Sequence, residues 1–167
     1  MQAGPKYPTH PFEWDRFVDQ NTTYYTKIFN DYDNDGVKEP WNWAAAIFGV
    51  FWFAYRKMYK NARAFCFMII AIEAVQVIII ANSVFFPISV ILEFALVLYF
   101  GRTGNHKYYL HVNRKITEIK EWEDKNAFLI DWYAKVGGTS IYSAIGFCLA
   151  MGASAVIILL VVFTVLH

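Results

Sequence analysis

Charge is in short supply in this chain. Fifteen lysines and arginines and fourteen aspartates and glutamates are spread over 167 residues, for a formal net charge of +1. Nucleic-acid binding needs a concentrated basic face, so this balance argues against that class. Cysteine is scarcer still. Cys66 and Cys148 both fall in apolar segments, too few and too isolated for a disulfide framework or a thiolate metal site, and read as buried small hydrophobes. The chain has no glycine-rich phosphate loop and no nucleophile motif. His106 and His111, five apart, fit neither a zinc motif nor an i, i+4 helical pair. These gaps exclude the common reaction centres, so a non-enzymatic protein without a cofactor is expected. The first ten residues are polar and contain proline, which predicts no cleavable signal peptide.

What is abundant is hydrocarbon. Hydrophobic residues make up 57% of the chain and aromatics 19%. The longest run, Phe65 to Gly101, carries only two charged side chains, Glu73 and Glu93. A water-facing helix keeps one polar side, and a single membrane span takes about 20 apolar residues, so this run is too long for one span. Polar residues and Pro87 interrupt it at Asn82–Pro87, which predicts a transmembrane hairpin over 65–101. A second membrane helix is expected in 139–167. Its Ser143, Gly146, Ala150 and Ser154 recur at three or four residues, the spacing that lets helix backbones approach closely in lipid. The fold class that follows is an all-α integral membrane protein.

Three further segments flank these spans. Residues 1–40 form an acidic, aromatic arm, with four basic against seven acidic residues. Pro11 suits the first turn of a helix running to about Asn30, with Phe17, Tyr24 and Ile28 along one stripe. Asp31, Asp33 and Asp35 alternate ahead of Gly36 like the start of a calcium loop. The match fails at Asn42, where a bidentate glutamate is needed, and Pro40 obstructs the helix that should follow. Residues 41–63 begin with fifteen uncharged residues, about 22 Å as helix, and predict an interfacial or re-entrant helix. Trp41, Trp43, Trp52, Arg56 and Lys57 would anchor it at the headgroups. Residues 102–138 show Tyr109, Val112, Ile116 and Ile119 at helical spacing, an amphipathic cytoplasmic helix ended by Gly137-Gly138.

Carboxylates in the middle of a membrane are costly, about 2.5–3.5 kcal/mol each on insertion scales. Measured from the expected turn, Glu73 and Glu93 differ in depth by only about 6 Å, so they could meet across the hairpin, with Gln76 one turn from Glu73. Such a cluster could share a proton or hold a cation, or serve as a neutral hydrogen-bonded link between helices.

Two stretches carry a resemblance. Trp41-Asn42-Trp43-Ala44-Ala45-Ala46 leads into Phe51-Trp52-Phe53-Ala54-Tyr55-Arg56-Lys57-Met58-Tyr59, and Gly104-Asn105-His106-Lys107-Tyr108-Tyr109-Leu110-His111-Val112 follows the hairpin. Together with Asn21 to Phe29, these resemble a bacterial family of small membrane proteins, domain of unknown function 2628. The acidic stretch from Asp31 to Glu39 departs from the short loop expected there. The resemblance implies a multi-pass protein of the bacterial inner membrane and transfers no catalytic residue. Lysine and arginine on both borders of the hairpin place both ends in the cytoplasm, and the last helix then ends in the periplasm. The expected partners are the lipid bilayer and other membrane subunits, or further copies of the chain. Three functions are open at this point: an accessory or assembly subunit, a proton- or cation-conducting element using Glu73 and Glu93, and calcium responsiveness through Asp31, Asp33 and Asp35.

Overall fold

The computed structural model describes residues 11–34, 40–80, 86–123 and 132–166. Every regular element among them is an α-helix. The chain divides into two compact units, Met1–Asn42 with Arg102–Thr139, and Trp43–Gly101 with Ser140–His167.

In the first unit, proline at the first position of α1 (Pro11–Val18) suits a helix start, because its fixed φ is helical and its missing N–H has no helical partner anyway. The helix expected to continue to about Asn30 is instead two. Asp19 and Asn21 take φ of 62° and 60°, a left-handed conformation that Asp and Asn tolerate better than other side chains, and α2 (Thr22–Asn34) starts afresh. The new direction changes the buried face: Phe17 and Ile28 are buried, Tyr24 faces out and Tyr25 takes its place inside.

These helices close on the polar half of α6 (Phe86–Glu123) and on α7 (Trp132–Val136). Trp14, Phe17, Phe29, Tyr108, Val112 and Ile116 form the core. Trp14 meets Phe29 edge-on at 5.5 Å and Tyr25 meets Tyr108 at 4.9 Å, arrangements worth about 0.5–1.5 kcal/mol each beyond the area they bury. Beyond α7, a Cβ at Gly137 would collide with the Phe17 and Tyr133 carbonyls. The next amide, Gly138, donates to the Phe17 carbonyl at 2.6 Å. Glycine is required here because two backbones touch.

The residue that ties this unit together is Asn105, fully buried on α6. Its Oδ1 accepts from Asn42 Nδ2 at 2.7 Å, and its Nδ2 donates to the Tyr24 hydroxyl at 3.1 Å and to the Pro40 carbonyl at 3.0 Å. Nearby, Trp14 Nε1 donates to Asn113 Oδ1 at 2.8 Å. Glu13 and Lys120 pair at 2.7 Å while mostly shielded from solvent.

The second unit holds α3 (Trp43–Phe48), α4 (Val50–Tyr55), α5 (Tyr59–Ile80), the apolar start of α6 and α8 (Ile141–Leu166). The single helix expected over 41–55 is broken at Gly49, whose φ of 48° and ψ of −123° lie outside helical space and suit only glycine well. The Phe100 ring sits 3.4 Å from where a Cβ at Gly49 would be. A second tight turn at Lys57, φ 56°, sends the chain into α5, and α4 packs against both α5 and α8. Phe53, Phe65 and Phe100 stack in the middle, with centroids 4.9–5.7 Å apart. The Ser140 amide donates to the Tyr55 carbonyl at 2.8 Å, and the Tyr59 hydroxyl bonds to Ser143 Oγ at 2.9 Å.

A boundary between a hairpin arm ending at Gly101 and a separate amphipathic helix is not observed. The helix α6 runs through Gly101 and Gly104 without a break. A mid-helix glycine costs only about 1 kcal/mol relative to alanine, less than the packing of Phe100 and Asn105 on either side supplies. The expected turn at 82–87 falls largely on residues 81–85, outside the described residues.

Replacing Asn105 by alanine removes the acceptor of the buried Asn42 amide and the donor to the part-buried Pro40 carbonyl. The expected loss is about 2–4 kcal/mol, read as a drop of several degrees in the thermal unfolding of the purified protein. An unchanged midpoint would refute the hub role.

Candidate functional site

Two turns of α5 and one of α6 build the most chemically distinctive place in the second unit. Glu73 and Gln76 stand one turn apart on α5, and Glu93 lies on the facing stretch of α6. Gln76 Nε2 donates to Glu93 Oε1 at 3.0 Å. Glu73 and Glu93 both line one cavity of about 250 Å³. The rest of its wall is hydrocarbon and aromatic: Phe48 and Phe51 from the broken helix pair, Ile69 and Ile72 from α5, Leu96 and Phe100 from α6. Glu73 and Gln76 are half-buried and Glu93 is exposed.

The chemistry follows from the donor set. An amide that donates to one oxygen of Glu93 fixes that carboxylate's orientation and leaves its other oxygen able to accept a proton or an N–H. A second carboxylate on the same apolar cavity makes the pair better suited to a positive charge than to an anion. Counting helical rise from the expected turn leads to the two acids, and one-turn spacing from Glu73 leads to the amide. Neither leads to Met151 of α8 or to the α3–α4 wall, because Gly49 turns that wall inward.

The other residues singled out in the sequence are scattered. Asp31 and Asp33 lie inside α2, where residues two apart point to nearly opposite sides, so these two do not form the start of a calcium loop; Asp33 instead accepts from the Tyr109 hydroxyl. Asp35 lies outside the described residues. Among the described residues, no three His, Cys, Asp or Glu side chains converge on a metal position. Of the expected headgroup anchors, Trp43 is exposed, Trp41 and Lys57 are partly covered, and Trp52 and Arg56 are buried. Burial removes Trp52 and Arg56 from any headgroup: Trp52 packs edge-on against Phe53 at 5.0 Å. On α8, Ser143 contacts Tyr59 and Ser140, and Ser154 bonds back to the Met151 carbonyl. Gly146 has open space beside it and Ala150 is exposed. Cys66 is half-buried and Cys148 exposed, so Cys148 is not the buried hydrophobe its apolar neighbours suggested.

The histidines lie in the first unit. His106 faces Tyr32 and Tyr109, with ring centroids 5.4 and 6.3 Å away. His111 is buried beside Phe17, at 6.3 Å. Burial, reinforced by the Arg114 and Lys115 charges and opposed by Glu118, pushes its imidazolium down to about 4 from an ordinary 6.5. The Tyr109 hydroxyl is pushed up, first by burial and then by its bond to Asp33.

Compared with known proteins, residues 15–114 match the model of the family described as Protein of unknown function (DUF2628). No curated protein and no solved structure matches the chain.

His111 carries a pH consequence for the first unit. Between pH 6.5 and about 4 the unfolded chain binds a proton at this ring that the folded chain refuses. Stability therefore falls as pH drops through that window, by up to about 3 kcal/mol, and this contribution is flat above it. Denaturant melts at pH 7 and pH 4.5 should show a gap that shrinks in His111→Phe. An equal gap in both proteins would remove His111 as the cause.

Proposed function

The chain belongs to the DUF2628 family of proteins of unknown function, and from that premise we propose that it is a non-enzymatic accessory or assembly subunit of a bacterial inner-membrane complex. In this reading α5, the apolar start of α6 and α8 lie in the bilayer, and the first unit is a cytoplasmic docking module. The observation that carries it is α8. Its stretch Ile141–Ile158 has a mean hydropathy of 2.0, and none of it is buried within the chain. Leu149, Ile157, Leu160 and Phe163 stand exposed along it, as do Phe67 on α5 and Ile91 and Phe94 on α6. Side chains of this kind gain about 25 cal/mol for each Å² removed from water, so so large an exposed apolar surface favours lipid or a partner helix. The first unit differs: Trp14, Phe17, Tyr25, Phe29 and Tyr108 are packed inside, and its buried Asn42, Asn105 and Asn113 are hydrogen-bonded.

Lys60 and Arg63 at the start of α5, and Arg102 and Lys107 beyond the apolar part of α6, support a cytoplasmic location for both borders. Single cysteines at Lys60 and Lys107 should therefore react with a membrane-impermeant maleimide only after the cells are opened. Labelling of one site in intact spheroplasts would overturn the topology. Purification in mild detergent followed by mass spectrometry should bring down a constant membrane partner; a bare monomer in every detergent would end the subunit reading.

A second reading, conduction of protons or small cations, is favoured by one observation, the bond of 3.0 Å between Gln76 and Glu93 beside the cavity that Glu73 also lines. Proteoliposome flux should then collapse in Glu73→Gln and Glu93→Gln; equal flux in both variants would dismiss it.

A further inference from the structure

We propose that the cavity in the second unit binds a small lipophilic amine in its protonated form. The argument rests on shape and charge together. The cavity holds about 250 Å³, just under the range of about 300–1,000 Å³ usual for drug-sized ligands, so its occupant is small: one ring or a short chain. Its walls are apolar, with the aromatic rings of Phe48, Phe51 and Phe100 among them. Such walls take up a hydrocarbon body and also attract a cation that lies over a ring face.

Two carboxylates, Glu73 and Glu93, open onto the same space, and among the described residues no basic side chain lines it. This charge pattern repels fatty acids and other anions. A bare metal ion suits it poorly, because among the described residues the lining offers two oxygen-bearing side chains where a hard cation wants six or more oxygens. An ammonium group suits it well: its N–H donors meet the carboxylate oxygens in charge-assisted hydrogen bonds, while its carbon body lies against the phenylalanines. Gln76 acts as a positioning residue, since its donation to Glu93 Oε1 at 3.0 Å orients the carboxylate.

The site does not depend on the subunit reading. It shares its carboxylates with the conduction reading but requires only binding, not passage across the membrane.

The test is calorimetric titration of the full chain in lipid nanodiscs, with empty nanodiscs as the reference. The probe is 2-phenylethylammonium. The controls are 2-phenylethanol, which lacks the charge, and 3-phenylpropionate, which reverses it. Saturable binding of the amine is expected, with neither control competing. Glu93→Gln and Glu73→Gln should each weaken it by at least about tenfold, the value of one charge-assisted hydrogen bond. Gln76→Leu should weaken it less, because both carboxylates remain. Leu96→Trp leaves all three polar groups in place and fills the cavity, so it should abolish binding; this keeps the test decisive if a glutamine variant folds poorly. No saturable heat with the amine, equal affinity for the alcohol, or unchanged affinity in Leu96→Trp would each overturn the proposal. Amine binding without proteoliposome flux would leave this site standing and remove conduction, and flux without amine binding would do the reverse.

Discussion

A polar group withdrawn from water has to find a partner, and in the first unit of this chain that demand decides which segments meet. An unpaired buried amide costs about 1–3 kcal/mol, comparable to the gain from burying a whole aliphatic side chain. Asn105 has three hydrogen bonds to satisfy, and it does so with Asn42, Tyr24 and the Pro40 carbonyl. Those partners lie 63 to 81 residues away along the chain. The aromatic core supplies most of the burial, but rings slide over one another at small cost. The amide network fixes one arrangement among the many that greasy packing alone would accept.

In the second unit Glu93 is exposed, yet it too is held by an amide. A carboxylate among leucines and phenylalanines is tolerable when an amide donates to it, and Gln76 does. The consequence is a fixed acceptor beside an apolar cavity, with Glu73 opening onto the same space. Such a pair of carboxylates stands out on the largely apolar stretches of α5 and α6. It motivates both the conduction and the amine-binding proposals, which differ in whether the bound charge moves on.

The two units divide the physical work. The first packs an aromatic core around Trp14, Phe29 and Tyr108, bonds its buried amides and holds the Glu13–Lys120 pair mostly shielded from solvent. The second buries a small aromatic centre and leaves large apolar side chains exposed along α5, α6 and α8. The proposed accessory subunit would use both features, the exposed apolar surface and the folded polar module. The left-handed residues Asp19, Asn21 and Gly138 turn the chain within the first unit, and Gly49 and Lys57 turn it within the second.

Helical character and family membership were legible from residue order alone, because apolar spacing and the two tryptophan- and tyrosine-rich motifs are local properties. So was the oddity of Glu73, Gln76 and Glu93, since a carboxylate amid hydrocarbon stands out in any listing of residues. The breaks were not. Gly49 could have continued a helix, and Gly101 and Gly104 could have ended one; a lone glycine favours neither outcome by more than about 1 kcal/mol. What settled each was a neighbour distant in sequence: the Phe100 ring beside Gly49, and Asn105 held by its three partners. For the same reason Trp52 and Arg56 moved from expected anchors to buried positions, and Asp33 moved from a calcium loop to a hydrogen bond with Tyr109. Local order determined which residues are helical and which are oily. Only the tertiary structure decided where the helices break and which polar groups face one another, because those choices depend on contacts that no short window of sequence contains.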